Sequence, residues 1–162
     1  MLACAGDEDK DGCGLNIEGI AVDSKENVFL GLRAPSLDGK AFIVRTKADE
    51  LFADGHERAP SNATVDTLPV ALGDDVGIRD LALLPDGRLL ILAGAAYQPD
   101  IPYSIFVVDR SGANLQELLA EQKPTRAEAM TVLGATPQEI RLLLLFDGKL
   151  DGEPQEVRVP LP

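Results

Sequence analysis

One pattern, used three times, constrains this chain more than any other feature. "NIEGIAVDSKENVFLGLR" begins at Asn16, "GIRDLALLPDGRLLILAG" at Gly77 and "RAEAMTVLGATPQEIRLLLLFDG" at Arg126. Each copy carries an acid (Glu18, Asp80, Glu128), a short apolar run, a polar turn and a second, more strongly apolar run. A unit that recurs every few tens of residues marks a chain built from repeated supersecondary pieces. The turns have suitable chemistry in Ser24 to Asn27, Pro85-Asp86-Gly87 and Thr136 to Glu139. Proline presets φ at the second position of a turn, and glycine accepts positive φ.

The apolar runs read as strands. Val28 to Leu32, Leu89 to Ala93 and Leu142 to Phe146 are short, nearly all apolar and bounded by turns, whereas a helix needs more length and a polar face. A third strand follows each pair, at Ala41 to Arg45, Ser104 to Asp109 and Glu156 to Val159, and a fourth is expected at Val65 to Leu72. Residues 47 to 55 and 114 to 121 have helical spacing. Aromatics make up only 4% of the chain and there is no Trp, so the core rests on Leu, Ile, Val and Ala.

The expected fold is all-β. Antiparallel units of three or four strands at this spacing fit the blades of a β-propeller, with an acidic segment over 1–14 and blades near 15–72, 77–122 and 126–162. Strands buried on both sides explain why "LLIL" and "LLLLF" lack the polar alternation of a one-sided sheet. The rival is a β-sandwich of about ten strands, which repetition disfavours. Closed propellers have about four to eight blades. Three blades therefore imply a partial propeller, a fragment of a longer six- or seven-bladed one, or an arc that self-associates through its open blade edges.

At "LNIEGIAVD…GLRAP", "IRDLALLPDGRLLILAG" and "FDG" the chain resembles an uncharacterised bacterial family, domain of unknown function 3616. The resemblance runs from about Leu15 to Gly148. It implies a propeller-like fold, distantly similar to esterase-like phytases and to other six- or seven-bladed sugar-phosphate and lactone hydrolases. Where that family usually reads "KPEGL", this chain has Arg126-Ala127-Glu128-Ala129-Met130, which keeps the acid and loses the glycine. The family has no settled activity, so the resemblance speaks to fold.

In a propeller the starts of the innermost strands surround one mouth of the central channel, where ligands commonly bind. Glu18, Asp80 and Glu128 are expected there, with Arg79 and Arg126 beside two of them and Arg33 and Asp147 at the ends of the second strands. Carboxylates bind hard cations, and arginines clamp phosphate or carboxylate groups. The same residues can equally tie neighbouring blades together as ion pairs. The first functional reading is a ligand-binding or scaffold module for a small molecule or protein. The second is a hydrolase of phosphate or ester groups of the esterase-like phytase type, with calcium as its cofactor. No nucleophile paired with a general base stands out, which favours the first.

A second constellation overlaps the ring. "DEDKDGCGLNIE" puts Asp7, Asp9, Asp11, Gly12 and Glu18 at positions 1, 3, 5, 6 and 12 of a calcium loop. Position 8, normally a branched apolar residue, is Gly14, and flanking helices are absent. A solvated acidic loop is the plainer account. Cys4 and Cys13, the only two cysteines, fit a small disulfide loop in an oxidising compartment or two free cytosolic thiols. A periplasmic or secreted location is preferred to the cytoplasm. "MLAC" resembles the end of a lipoprotein signal whose other parts are missing, and no apolar run approaches the roughly 18 residues of a membrane span. His56, the only histidine, sits in a polar stretch and is a poor catalytic base, and "NAT" at Asn62 fits a glycosylation acceptor. The net charge of −12 disfavours nucleic acid and anionic membranes as partners.

Overall fold

A computed structural model describes residues 14–52, 63–97, 101–121 and 125–162. Asp7, Asp9, Asp11, Cys4, Cys13, His56 and Asn62 lie outside the described residues, so the calcium-loop, disulfide, catalytic-base and glycosylation readings find no geometry here.

The described chain is almost entirely antiparallel β-structure. β1 (Asn16–Val22), β2 (Asn27–Ala34), β3 (Ala41–Lys47) and β4 (Asp66–Val70) form the first sheet in that order. β5 (Val76–Leu83), β6 (Leu89–Ala95), β7 (Ser104–Val108) and β8 (Gln116–Ala120) form the second. β9 (Ala127–Ala135), β10 (Glu139–Phe146) and β11 (Gln155–Pro160) form the third. The helical spacing of 47 to 55 yields one short helix, α1 (Ala48–Phe52). The helical expectation for 114 to 121 is wrong. Asn114 takes positive φ, which breaks a helix at its start, and Gln116–Ala120 instead completes the second sheet against β7.

The three sheets stack in sequence order. β5 packs on β1 and β2, and β9 packs on β5 and β6. Between the first two sheets, Phe29, Ile43 and Val70 meet Ile78, Leu81 and Ile91. Between the second and third, Leu90, Leu92 and Ile105 meet Met130, Leu142 and Leu144. β6 is therefore covered on both faces, as "LLILAGA" demands. β10 is different. Its inward residues Ile140, Leu142 and Leu144 are wholly buried, whereas Leu145 on the opposite face is 38% exposed.

Backbone register aligns the three units residue by residue across one shared bulge, although β2 has a further irregularity at Arg33 and β9 one at Leu133. Each unit's first strand carries an irregularity near its start, between Ile17 and Gly19, between Ile78 and Asp80, and between Leu145 and Phe146 opposite Ala127 to Ala129. A bulge lets two residues face one and re-aims the side chain there. Beyond it Ile20 faces Leu30, Leu81 faces Ile91 and Met130 faces Leu144. The bulged residues are thus Glu18, Arg79 and Glu128. Gly19 corresponds to Asp80 and Ala129. Glycine at position 19 serves close approach, since a Cβ there would sit 2.9 Å from the Leu81 side chain and 3.0 Å from its backbone nitrogen.

Candidate functional site

The three bulges bring an acid, an arginine and an acid into line. Arg79 extends along the middle of this row with only 10% of its side chain exposed. Its Nε lies 3.3 Å from Glu18 Oε2, its Nη2 pairs with Glu128 Oε1, and its Nη1 donates to the carbonyl of Ala95. Arg33, at the end of β2, donates from Nη1 to Glu18 Oε1 at 3.0 Å and from Nε to the Ala96 carbonyl at 3.2 Å. Glu18 Oε2 is buried and makes no hydrogen bond, so its contact with Arg79 is purely coulombic. The bulge explains why a glutamate starts an apolar strand: it turns Glu18 out of the sheet and onto two arginines.

Asp80 has a different task. One residue beyond the bulge, its Oδ1 accepts from its neighbour Leu81's N–H at 2.8 Å, and its Oδ2 accepts from the Met130 N–H at 2.7 Å. Asp80 therefore ties the second sheet to the third through backbone amides next to two bulges, where the ladder is interrupted. Burial pushes its pKa up, against the lowering pull of those two amides. The equivalence of three acids holds for Glu18 and Glu128, and in the second unit the matching residue is Arg79.

A cleft of about 180 Å³ opens over this network. Five of the seven expected residues line it: Arg33, Arg79, Arg126, Glu128 and Asp147. Glu18 joins them through its ion pairs, and Asp80 does not line the cleft. Arg126 and Asp147 are each more than half exposed, with Nη1 and Oδ2 3.9 Å apart. Tyr97 and Tyr103, unnoticed in the sequence, complete the wall. Tyr103 packs edge-on to Phe146, with ring centroids 6.0 Å apart, and its phenol is held protonated by burial and by the charge of Glu121. Among the described residues, no group of three His, Cys, Asp or Glu side chains could hold a metal ion, and no helix is long and apolar enough to cross a membrane.

A further polar cluster joins the first two sheets. Asp23, with 1% of its side chain exposed, accepts from the N–H groups of Lys25 and Asn27 and from the Asn27 amide, and pairs with Arg110 Nη1 at 2.9 Å. Arg110 also donates to the Gly87 carbonyl, and its guanidinium occupies the space that a side chain at Gly87 would need. Burial opposes ionisation of Asp23, but the bonds from Asn27 and Lys25 and the Arg110 charge together hold its pKa below the ordinary 3.8. A depressed carboxylate stabilises the fold above its ordinary pKa and loses that contribution as pH falls through the folded value. Arg110→Ala is expected to cost about 1–2 kcal/mol at neutral pH, between exposed and buried pairs. Denaturant midpoints of the two proteins measured against pH should converge in acid, where Asp23 is neutral. The sequence signal for Asp23 was its place before a turn ending in Asn27. Nothing local marks Arg110, which lies 87 residues away.

No curated protein and no solved structure matches the chain, and the expected similarity to esterase-like phytases is not shown. A family model described as a protein of unknown function (DUF3616) matches residues 8–157, nearly the whole chain, and the chain belongs to that family.

Proposed function

We propose that the chain is a binding module whose three sheets are consecutive blades of a partial β-propeller, and that its cleft takes a small anionic group. Sequential stacking of the sheets through their first strands supports the blade reading. One observation carries the ligand reading. Arg126 stands more than half exposed on the cleft, held to Asp147 only at 3.9 Å, beside two arginines whose positions are already fixed. Arg33 and Arg79 spend their charge on Glu18 and Glu128 and so form a rigid floor. Arg126 retains donors for an incoming carboxylate or phosphate, which a guanidinium binds through two parallel hydrogen bonds. The cleft's volume suits a headgroup rather than a whole cofactor, since sites for drug-sized ligands span about 300–1,000 Å³.

Inorganic phosphate and acetate serve as probes. Isothermal titration should show millimolar or tighter binding of at least one, weakened at least tenfold in Arg126→Ala. Because Arg126 is exposed, the variant should melt like the wild type. Absence of binding for both anions, or an Arg126→Ala protein that binds as well as the wild type, would remove the basis for this reading.

A further inference from the structure

On the face of the first sheet turned away from the second, β1 is exposed, whereas Val28 and Leu32, which pair with Val22 and Ile17 on that face, are 2% and 4% exposed. Ile17, Ile20 and Val22 are 45%, 59% and 55% exposed, and Leu15 beside them is 67% exposed. Scattered surface aliphatics need no explanation, but a contiguous set on one sheet face does.

The repeat says what that set is for. Ile17, Ile78 and Ala127 hold one register position, and Ile20, Leu81 and Met130 hold another. Ile78 and Leu81 are buried beneath the first sheet, at 0% and 4% exposed. Ala127 and Met130 are buried beneath the second, at 2% and 5%. Ile17 and Ile20 thus have the side chains of a face that receives a preceding sheet. The opposite end of the stack has the face that holds the corresponding register positions, with the Arg141–Glu156 ion pair at its margin. Gly31, Leu92 and Leu145 hold one position and Phe29, Leu90 and Leu143 another. Phe29, Leu90 and Leu92 are wholly buried against the following sheet, whereas Leu145 is open. At the position where Gly19 lets the next sheet approach, the third sheet has the small residue Ala129.

We infer that the exposed β1 strip of the first sheet is a docking surface for a second copy of this chain, which seats the outer face of its third sheet there. The chain makes this interface twice within itself, between its first and second sheets and between its second and third, and it carries both halves of a third. The contact is heterologous, because different faces of the two copies meet. Two such contacts join two copies into a ring of six sheets, inside the range of about four to eight found in closed propellers. The inference rests on the stacking of the sheets and is independent of what the cleft binds.

Sedimentation velocity over a concentration series tests it, at high salt to screen the net charge of −12. The wild type should be dimeric. Ile20→Asp spoils only the receiving face and Leu145→Asp only the presenting face, so each variant alone should be monomeric. An equimolar mixture of the two should recover dimers, because one intact contact remains. Circular dichroism melts establish that each variant is folded, and Ile17→Asp and Thr131→Asp replace any variant that is not. Monomeric wild type, a variant that dimerises like the wild type, or a mixture that stays monomeric overturns the head-to-tail contact. Growth of the wild type beyond the dimer overturns the two-copy ring.

Discussion

Replacing Arg79 with alanine is expected to lower stability by about 2–4 kcal/mol, near the lower part of the range for breaking a buried ion pair. The cost has two sources. Among the described residues, Arg79 is the group that pairs with both Glu18 and Glu128, and its removal takes away the partner of Glu128 and leaves Arg33 on Glu18. Two carboxylates kept close in a half-buried place repel, and one must be protonated or exposed to relieve the repulsion. The Ala95 carbonyl also loses a donor. Arg79→Lys restores a charge but not a fork wide enough for both acids, so it should recover only part of the loss. Glu128→Gln in the Arg79→Ala background should in turn restore some stability, because it removes the uncompensated charge. Denaturant midpoints of the four proteins at neutral pH check the pattern. An Arg79→Ala protein within about 0.5 kcal/mol of wild type, the usual range for surface changes, would show that the row of charges is mere decoration.

A loss of about 2–4 kcal/mol is also expected for Asp80→Ala, by another route. The carboxylate satisfies two N–H groups, those of Leu81 and Met130, in residues that are 4% and 5% exposed. An unsatisfied buried donor costs about 1–3 kcal/mol. Asp80→Asn keeps one oxygen acceptor and should lose roughly half as much. The pH dependence separates Asp80 from Asp23. The raised pKa of Asp80 means that the folded chain takes up its proton more readily than the unfolded chain. Its contribution is full below the ordinary carboxylate pKa and declines as pH rises through the folded value, opposite in sign to that of Asp23. Replacing Asp80 should therefore change the acid limb of the stability curve in the opposite direction from replacing Asp23. Equal stability of Asp80→Ala and wild type would mean that water caps the two amides as well as the carboxylate does.

The strands were legible because their signal is local. Apolar runs bounded by turn residues located Leu89–Ala95 and Glu139–Phe146 within a few residues, and the threefold recurrence separated the sheets. The stretch at 114 to 121 was misread because "LQELLA" satisfies a helical spacing, while the deciding facts are the free edge of β7 and the backbone of Asn114. The charge row was half legible. Its members were named, but acids were matched to acids, and a bulge shifts the frame by one residue. Only the pairing of Asp80 with Leu92, and not with Ala93, reveals that Arg79 is the partner of Glu18 and Glu128 in the repeat. The Arg110–Asp23 pair was invisible because no periodicity connects residues that meet only when two sheets stack.

Among the described residues, each strand hydrogen-bonds to its immediate neighbours in sequence, and no ladder passes from one sheet to another. The link at 71–75 adds no strand, but it places the buried Leu72 in the core between the first two sheets and makes backbone hydrogen bonds. A gene that copied the stretch encoding one sheet would lengthen the array without interrupting a ladder, and the newcomer would need only two matching faces to fit. Such a molecule can grow or shrink by whole units over evolutionary time, each step tested for how well one aliphatic surface receives the next.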